Sequence, residues 1–406
     1  MTMDATTTPV PNGPLGDRSP RRPWSFAARC LTTVALLLTM GVTMGIAGAQ
    51  DRNSGGVPLT EFDPDDPWVT DDLRAAVDRG LEFLARTQHP DGFWAQDVGF
   101  KLNTDYRVTE HGKPHVGVTS LALISFLAGG HVPGRGPYGG VIERGVGFVL
   151  AQVGENGEIK AFGSRMYSHA FATLFLSEVY GMTRREDVRQ ALQMAVNLIV
   201  DSQNREGGWR YKPFARESDM SITVCQVLAL RSARNVGIAV PARTIRDAEN
   251  YVRRSAVGSN DSGNRFDHFS PYNEGGAFRY QLRGHSRATF PLTAAGVTTL
   301  HAAGIYDDPI IDDAFDYLDG QMPDFNQHYI GHYFFYYGHY YAVQAYYTAG
   351  GSKWRNYFRQ MRGLLVSRQD ADGSWPCHIG PGKAFSTAVA TLILQIPYQY
   401  LPIFQR

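Results

Sequence analysis

Residues 202–230 read SQNREGGWRYKPFARESDMSITVCQVLAL, and the fold follows from how this stretch is parsed. It opens at the end of an amphipathic helix and turns through Gly207-Gly208, closed by Trp209. It then enters a second segment in which Met220 to Leu230 carries no charge. A helix apolar on every side has to be enclosed by protein or by lipid. Asp219 stands at the mouth of that segment beside Ser218, where a carboxylate accepts from free backbone N–H groups and meets the positive end of the helix dipole.

Outward from this unit, the same alternation runs along the chain. Leu73, Val77, Leu81 and Leu84 line one face of residues 71–87, with Thr70 as N-cap and Asp71 and Asp72 in the first turn. Further amphipathic segments cover 139–152, 186–202, 242–254, 308–320 and 353–368. Charge-poor segments alternate with them at 117–129, 167–180, 219–233, 290–303, 333–349 and 384–396. Six half-exposed and six enclosed helices in strict alternation pack as two concentric rings, which predicts an all-α (α/α)6 toroid. The last charge-free run, Ala384 to Phe404, is long enough to suggest a membrane span. Pro397, Pro402, Gln395 and Gln399 assign it instead to the closing inner helix and a tail.

The turns from outer to inner helices also repeat. Gln88-His-Pro-Asp-Gly-Phe-Trp, Gln203-Asn-Arg-Glu-Gly-Gly-Trp and Gln369-Asp-Ala-Asp-Gly-Ser-Trp share one pattern, QxxxGxW, with weaker copies at Asn273-Glu-Gly-Gly-Ala-Phe and Gln152-Val-Gly-Glu-Asn-Gly. Gly supplies a positive φ, Trp packs beneath the turn, and Gln reaches a neighbouring helix end. Together with the six charge-poor helices, these turns resemble the squalene cyclase and protein prenyltransferase superfamily of terpenoid cyclase-like toroids. The resemblance covers residues 70–400. It implies a central cavity, often aromatic, that receives polyisoprenoid chains.

The chemical signatures of that superfamily are altered here. Cyclases carry D-x-D-D-T at the start of an inner helix, and the middle Asp protonates the substrate. Aligning Thr223 with the signature Thr places Asp219 on the first Asp, Ser221 on the middle one and Ile222 on the last. A Ser hydroxyl is too weak an acid to protonate an alkene. Prenyltransferase β subunits hold zinc with Asp-x-Cys at the same helix start, and here Ser221 replaces the Cys, with Cys225 one turn further on. The internal thioester of complement-like toroids needs Cys-Gly-Glu-Gln, which neither Cys225 nor Cys377 begins. The resemblance therefore implies no metal and no cofactor at this position.

Asp219 and His169 form an acid–base pair of candidates, because His169 begins the second inner helix by analogy at the same rim; an N-cap and a satisfied buried His are the plain readings beside it. The fifth inner helix, YFFYYGHYYAVQAYY from Tyr333, is aromatic enough to line a cavity for an apolar ligand. Tyr333, Tyr336, Tyr337, His339 and Tyr340, with Tyr167, are its candidate binding residues, and core filling is the other role open to them. His111 and His115, and likewise His328 and His332, are spaced i,i+4, which on a helix would put two imidazoles on one face. The segment 255–289 is long for a plain connection and reads as a lid or rim.

Bulk composition narrows the classes. Lys plus Arg, 39, equals Asp plus Glu, 39, so no global field draws the chain to nucleic acid. Three Cys make no disulfide framework. Residues 1–29 carry Arg18, Arg21, Arg22 and Arg29, and Cys30 to Ala49 follows without a charge, ending Ala47-Gly48-Ala49. A basic start, an apolar core and a small-x-small end read as an export signal over 1–49, with an uncleaved anchor as the alternative. Residues 50–69 read as a linker and 70–406 as the toroid, exported to the periplasm or beyond, touching membrane only through its N-terminus. Three functions that handle a ligand or substrate stay open beside a purely structural role in the cell envelope. One is a toroid that binds an apolar ligand. Another is an isoprenoid cyclase or transferase using Asp219 or His169. The third is a polysaccharide lyase-type enzyme using His339 and Tyr340 with Arg279 or Arg287.

Overall fold

The computed structural model describes residues 68–102, 105–162, 164–258, 275–283 and 286–404. The 1–49 export reading and most of the 50–69 linker lie outside the described residues.

Twelve α-helices occur among the described residues. The outer set is α1 (Asp71–Thr87), α3 (Gly139–Ala151), α5 (Glu186–Asp201), α7 (Ala242–Ser255), α9 (Pro309–Tyr329) and α11 (Gly351–Ser367). The inner set is α2 (Val116–Ala128), α4 (Met166–Thr183), α6 (Met220–Asn235), α8 (Phe290–Ala303), α10 (Tyr333–Ala349) and α12 (Lys383–Gln395). Every residue of α2 is buried, whereas α1 buries one stripe, Leu73, Ala76, Val77, Gly80, Leu81, Phe83 and Leu84. The inner helices pack in order, α2 on α4, α4 on α6, α6 on α8, α8 on α10, α10 on α12, and α12 back on α2. The ring is closed, and the fold is an (α/α)6 toroid. No helix among the described residues is long and apolar enough to cross a membrane.

The repeated turns lock the rings together. In the three full copies the Gln amide donates both to the Gly carbonyl of its own turn and to a carbonyl of the next outer helix. Gln88 reaches Gly92 O (3.1 Å) and Val141 O (2.9 Å), Gln203 reaches Gly207 O (2.7 Å) and Thr244 O (2.8 Å), and Gln369 reaches Gly373 O (2.9 Å) and Ala76 O (2.8 Å). Each Trp indole donates to the last turn of the preceding helix, Trp94 to Leu84 O, Trp209 to Ile199 O and Trp375 to Leu365 O. Its backbone N–H goes to a Thr hydroxyl on the following inner helix, Thr119, Thr223 or Thr387. The weaker copy at Phe278 uses Thr293 in the same way.

Two features depart from the sequence reading. Residues 95–114 form an antiparallel hairpin, β1 (Ala95–Leu102) and β2 (Asp105–Pro114), between α1 and α2. Its half-buried, irregular register hid the alternation expected of a strand. Helix α9 runs on to Tyr329 instead of ending near residue 320, with Pro323 inside it. Packing overrides the helix-breaking tendency of Gly320 and Pro323. The extension brings Asn326 to His339.

The C-terminal ends of the inner ring are plugged. Ile403 and Phe404, in a short turn after α12, are buried against α6 and leave a gap of only about 10 Å³ among Leu228, Thr298 and Gln344.

Candidate functional site

The N-terminal ends of the inner helices surround a cavity of about 250 Å³. The first turns of all six contribute to it, through His115, Gly117 and Val118 of α2, Tyr167 and Ser168 of α4, Ser221 of α6, Leu292 of α8, Tyr333 and Phe334 of α10, and Phe385 of α12. Gly99, Phe100 and Tyr106 of the hairpin border it, as do Tyr211, Tyr280 and Arg287 from the loops. Leu121 and Phe171 line it further along their helices. The surface is mainly apolar and aromatic, the usual make-up of a small-molecule site, and the volume falls just below the ~300–1,000 Å³ range such sites span.

Asp219 is fully buried just behind this lining. It caps α6, Oδ1 accepting from the Ile222 N–H (2.9 Å) and from the Ser221 hydroxyl (2.6 Å). Ser221 in turn accepts from the Tyr167 hydroxyl at 2.6 Å. The Tyr280 hydroxyl donates to Oδ2 at 3.5 Å and lies 2.5 Å from the Tyr211 hydroxyl. Two hydroxyl chains thus link one carboxyl to cavity-facing tyrosines. Burial pushes that carboxyl up to about 6, against the hydrogen bonds from Ser221 and Ile222, which favour its charged form. The same burial holds the Tyr167 hydroxyl far above the ordinary phenol range.

The other candidates divide. Tyr167, Tyr333 and Tyr337 line the cavity, and the Tyr167 and Tyr337 rings meet edge to face at 6.4 Å. Tyr336 turns outward and donates to Pro376 O (2.8 Å), while Tyr340 packs edge-on against Phe171 at 5.8 Å. His339 is buried between Tyr357 (2.9 Å) and Asn326 (2.6 Å), away from the lining, and burial lowers its imidazole to about 3. His169 serves a turn: Nδ1 accepts from the Ile159 N–H (3.1 Å) and Nε2–H donates to Ala195 O (3.2 Å). It occupies, four residues after the N-cap, the place that Thr119, Thr223 and Thr293 hold on their helices. Burial depresses it to about 4, so it stays neutral in that role.

The histidine pairs do not share a helical face. His111 lies on β2 beside Asp97, and His115 caps α2 by accepting from the Val118 N–H. His328 ends α9, and His332 caps α10. Among the described residues, no group of three or more His, Cys, Asp or Glu side chains is placed to hold a metal ion. Of the 255–289 segment, Tyr280 and Arg287 border the cavity.

Sequence reasoning missed Arg165, Phe100, Tyr106, Tyr211 and Tyr280. The signal for Arg165 was present: it is the last charge before a charge-poor helix, the register of Asp219. The aromatic residues come from loops and a hairpin, which carry no periodicity.

No protein-family model matches the chain, and no curated protein matches it. Solved structures do resemble it. An inactive variant of the α-1,6-mannanase GH76A of Salegentibacter sp. HEL1_6, in complex with α-1,6-mannotriose, superposes with a TM-score of 0.56 at 8% identity, covering 80% of this chain and 98% of that one. A variant of the type II terpene cyclase MstE from Scytonema, bound to geranylgeranyl dihydroxybenzoate, gives a TM-score of 0.50 at 14% identity, covering 81% and 98%. A protein from Actinoplanes gives 0.50 at 14%, covering 80% and 98%. At these identities the shared property is the toroid. The likeness to terpene cyclases is matched by an equal likeness to mannanases.

Proposed function

We propose that this chain is a binding toroid whose central cavity holds a small apolar, isoprenoid-like molecule. The observation that carries this reading is the aromatic cavity at the inner-helix N-termini, with Ser221 where the cyclase signature has its acid. Arg165 also lines it, and a carbocation ~6 Å from a guanidinium would be opposed by about 3 kcal/mol at an effective dielectric of ~20. That weighs against polyene cyclisation. Glycoside hydrolysis needs two carboxyl groups at the substrate, and among the described residues no carboxylate lines the cavity. The placement of His339 outside the lining weighs against the lyase-type assembly. We further propose, on the sequence of residues 1–49 alone, that the protein works outside the cytoplasm.

Titrating the full chain with the neutral fluorophore N-phenyl-1-naphthylamine tests the binding reading. One saturable site per chain, lost in Leu121→Trp, is expected. Binding that Leu121→Trp leaves intact places the probe elsewhere and counts against the cavity.

One observation favours a second reading, proton transfer to a bound ligand. The Tyr167–Ser221–Asp219 chain connects a buried carboxyl to the cavity through two 2.6 Å hydrogen bonds. Turnover of a labelled polyprenyl substrate that disappears in Asp219→Asn supports it, and equal turnover in that variant removes Asp219 from the chemistry.

A further inference from the structure

The cavity is not uniformly apolar. Arg165, at the N-cap of α4, places its guanidinium over the Phe100 ring at 4.3 Å and beside the Tyr211 ring at 5.0 Å. Stacking of this kind holds the planar group in place while leaving its N–H edge free to bond. Among the described residues Arg165 has no carboxylate partner, and neither has Arg287, the second cation of the lining. The Tyr333 side chain also lines this end, with its ring 5.6 Å from Tyr106. Tyr333 is 8% exposed, and its hydroxyl has no partner in the protein. A buried hydroxyl without a partner costs about 1–3 kcal/mol, which a ligand acceptor would recover.

The charged side chains that line the cavity, Arg165 and Arg287, have one sign. Two guanidinium groups and six helix N-termini face the cavity. Asp219 sits behind Ser221, its Oδ1 engaged in the α6 cap. Deeper in, the walls are Leu121 and Phe171, below Val118 and Phe385 of the first turns. Phe171 follows Arg165 by six residues on one helix, about 9 Å at ~1.5 Å per residue. A hollow of about 250 Å³ suits a short apolar body.

Resting on the binding reading above, we propose that the ligand is an amphiphile with one anionic head. The head, a carboxylate or a phosphate monoester, lies against Arg165, with Arg287 and the Tyr333 hydroxyl beside it. The apolar body runs inward between Leu121 and Phe171. The guanidinium fork suits both heads, each offering two oxygens in one plane.

Calorimetric titration of the full chain with octanoate, octyl phosphate and octan-1-ol, which share one body, separates head from tail. At least tenfold tighter binding of one anion than of octan-1-ol is expected, and which anion leads identifies the head. Arg165→Met, which keeps an apolar stem, should erase that advantage without changing octan-1-ol affinity, and Arg165→Lys should restore part of it. Melting curves of both variants establish that they fold. Equal affinity for all three ligands overturns the anionic head and leaves the apolar cavity standing, as does an advantage that survives Arg165→Met combined with Arg287→Met. Binding of none of the three contradicts the cavity reading and this proposal together.

Discussion

Asp219 caps a helix and is linked through Ser221 and Tyr167 to the cavity wall. As the α6 cap it satisfies the Ile222 N–H, yet full burial raises its carboxyl from about 3.9 in an unfolded chain to about 6. The folded chain therefore binds this proton more tightly than the unfolded one. The contribution to stability is complete below about pH 4 and declines as pH rises to about 6, by about 3 kcal/mol. Asparagine keeps the oxygen that accepts from Ile222 and Ser221 and never ionises. Asp219→Asn is thus expected to equal the parent near pH 4 and exceed it at pH 7 by up to about 3 kcal/mol, read from urea midpoints. Burial also lifts Glu178 to about 7, so the test is the difference between variant and parent at each pH. A variant weaker than the parent at pH 7 would mean that the charged carboxylate is favoured in the folded chain. For His169 the expectation is purely structural. His169→Ala strands the Ile159 N–H and should cost about 1–3 kcal/mol while leaving cavity ligand affinity unchanged, measured by melts and titration in parallel. Loss of affinity at unchanged stability would assign it to the site.

At the scale of the element, the turn is the unit that the sequence made legible. Its Gln, Gly and Trp each have a distinct partner, and three strong copies in one chain give the period away. Gly207 is required twice over, by a φ of +95° and by the Asp247 carbonyl, which a Cβ would meet at 2.1 Å. Gly237 has a φ of +91° and nothing within 4 Å of such a Cβ. Gly207→Ala should therefore cost roughly 3 kcal/mol or more, and Gly237→Ala only the left-handed backbone term of about 1–2 kcal/mol. Similar melting shifts for the two variants would show that the contact with α7 does not tighten the turn. The hairpin and the end of α9 were not legible for a common reason: their local patterns point elsewhere, and only the toroid they pack against fixes them. In α9 the tail beyond Pro323 is held where Phe325 stacks on Phe290 at 4.5 Å and Asn326 meets His339.

Over the toroid as a whole, the same repetition that revealed the rings also placed the rim. His115, Arg165, Asp219, Thr289 and His332 are the N-caps of five successive inner helices, and two of them, His115 and Arg165, line the cavity. What no register supplies is side-chain direction. Tyr333 and Tyr337 face the cavity while Tyr336 bonds to Pro376 in the turn before α12 and His339 to Tyr357 of α11, a split set by helical phase against the ring centre and not by residue type. One end of the ring is plugged by Ile403 and Phe404, and the other is lined but hollow. The central claim is that this hollow is occupied in the cell. Organic extraction and mass spectrometry of the full-length protein from its own host, beside the Leu121→Trp variant prepared identically, tests it most directly. The account predicts a small apolar molecule at close to one per chain from the parent and its loss from the variant. A parent that yields nothing, or a molecule retained equally by both, would contradict it.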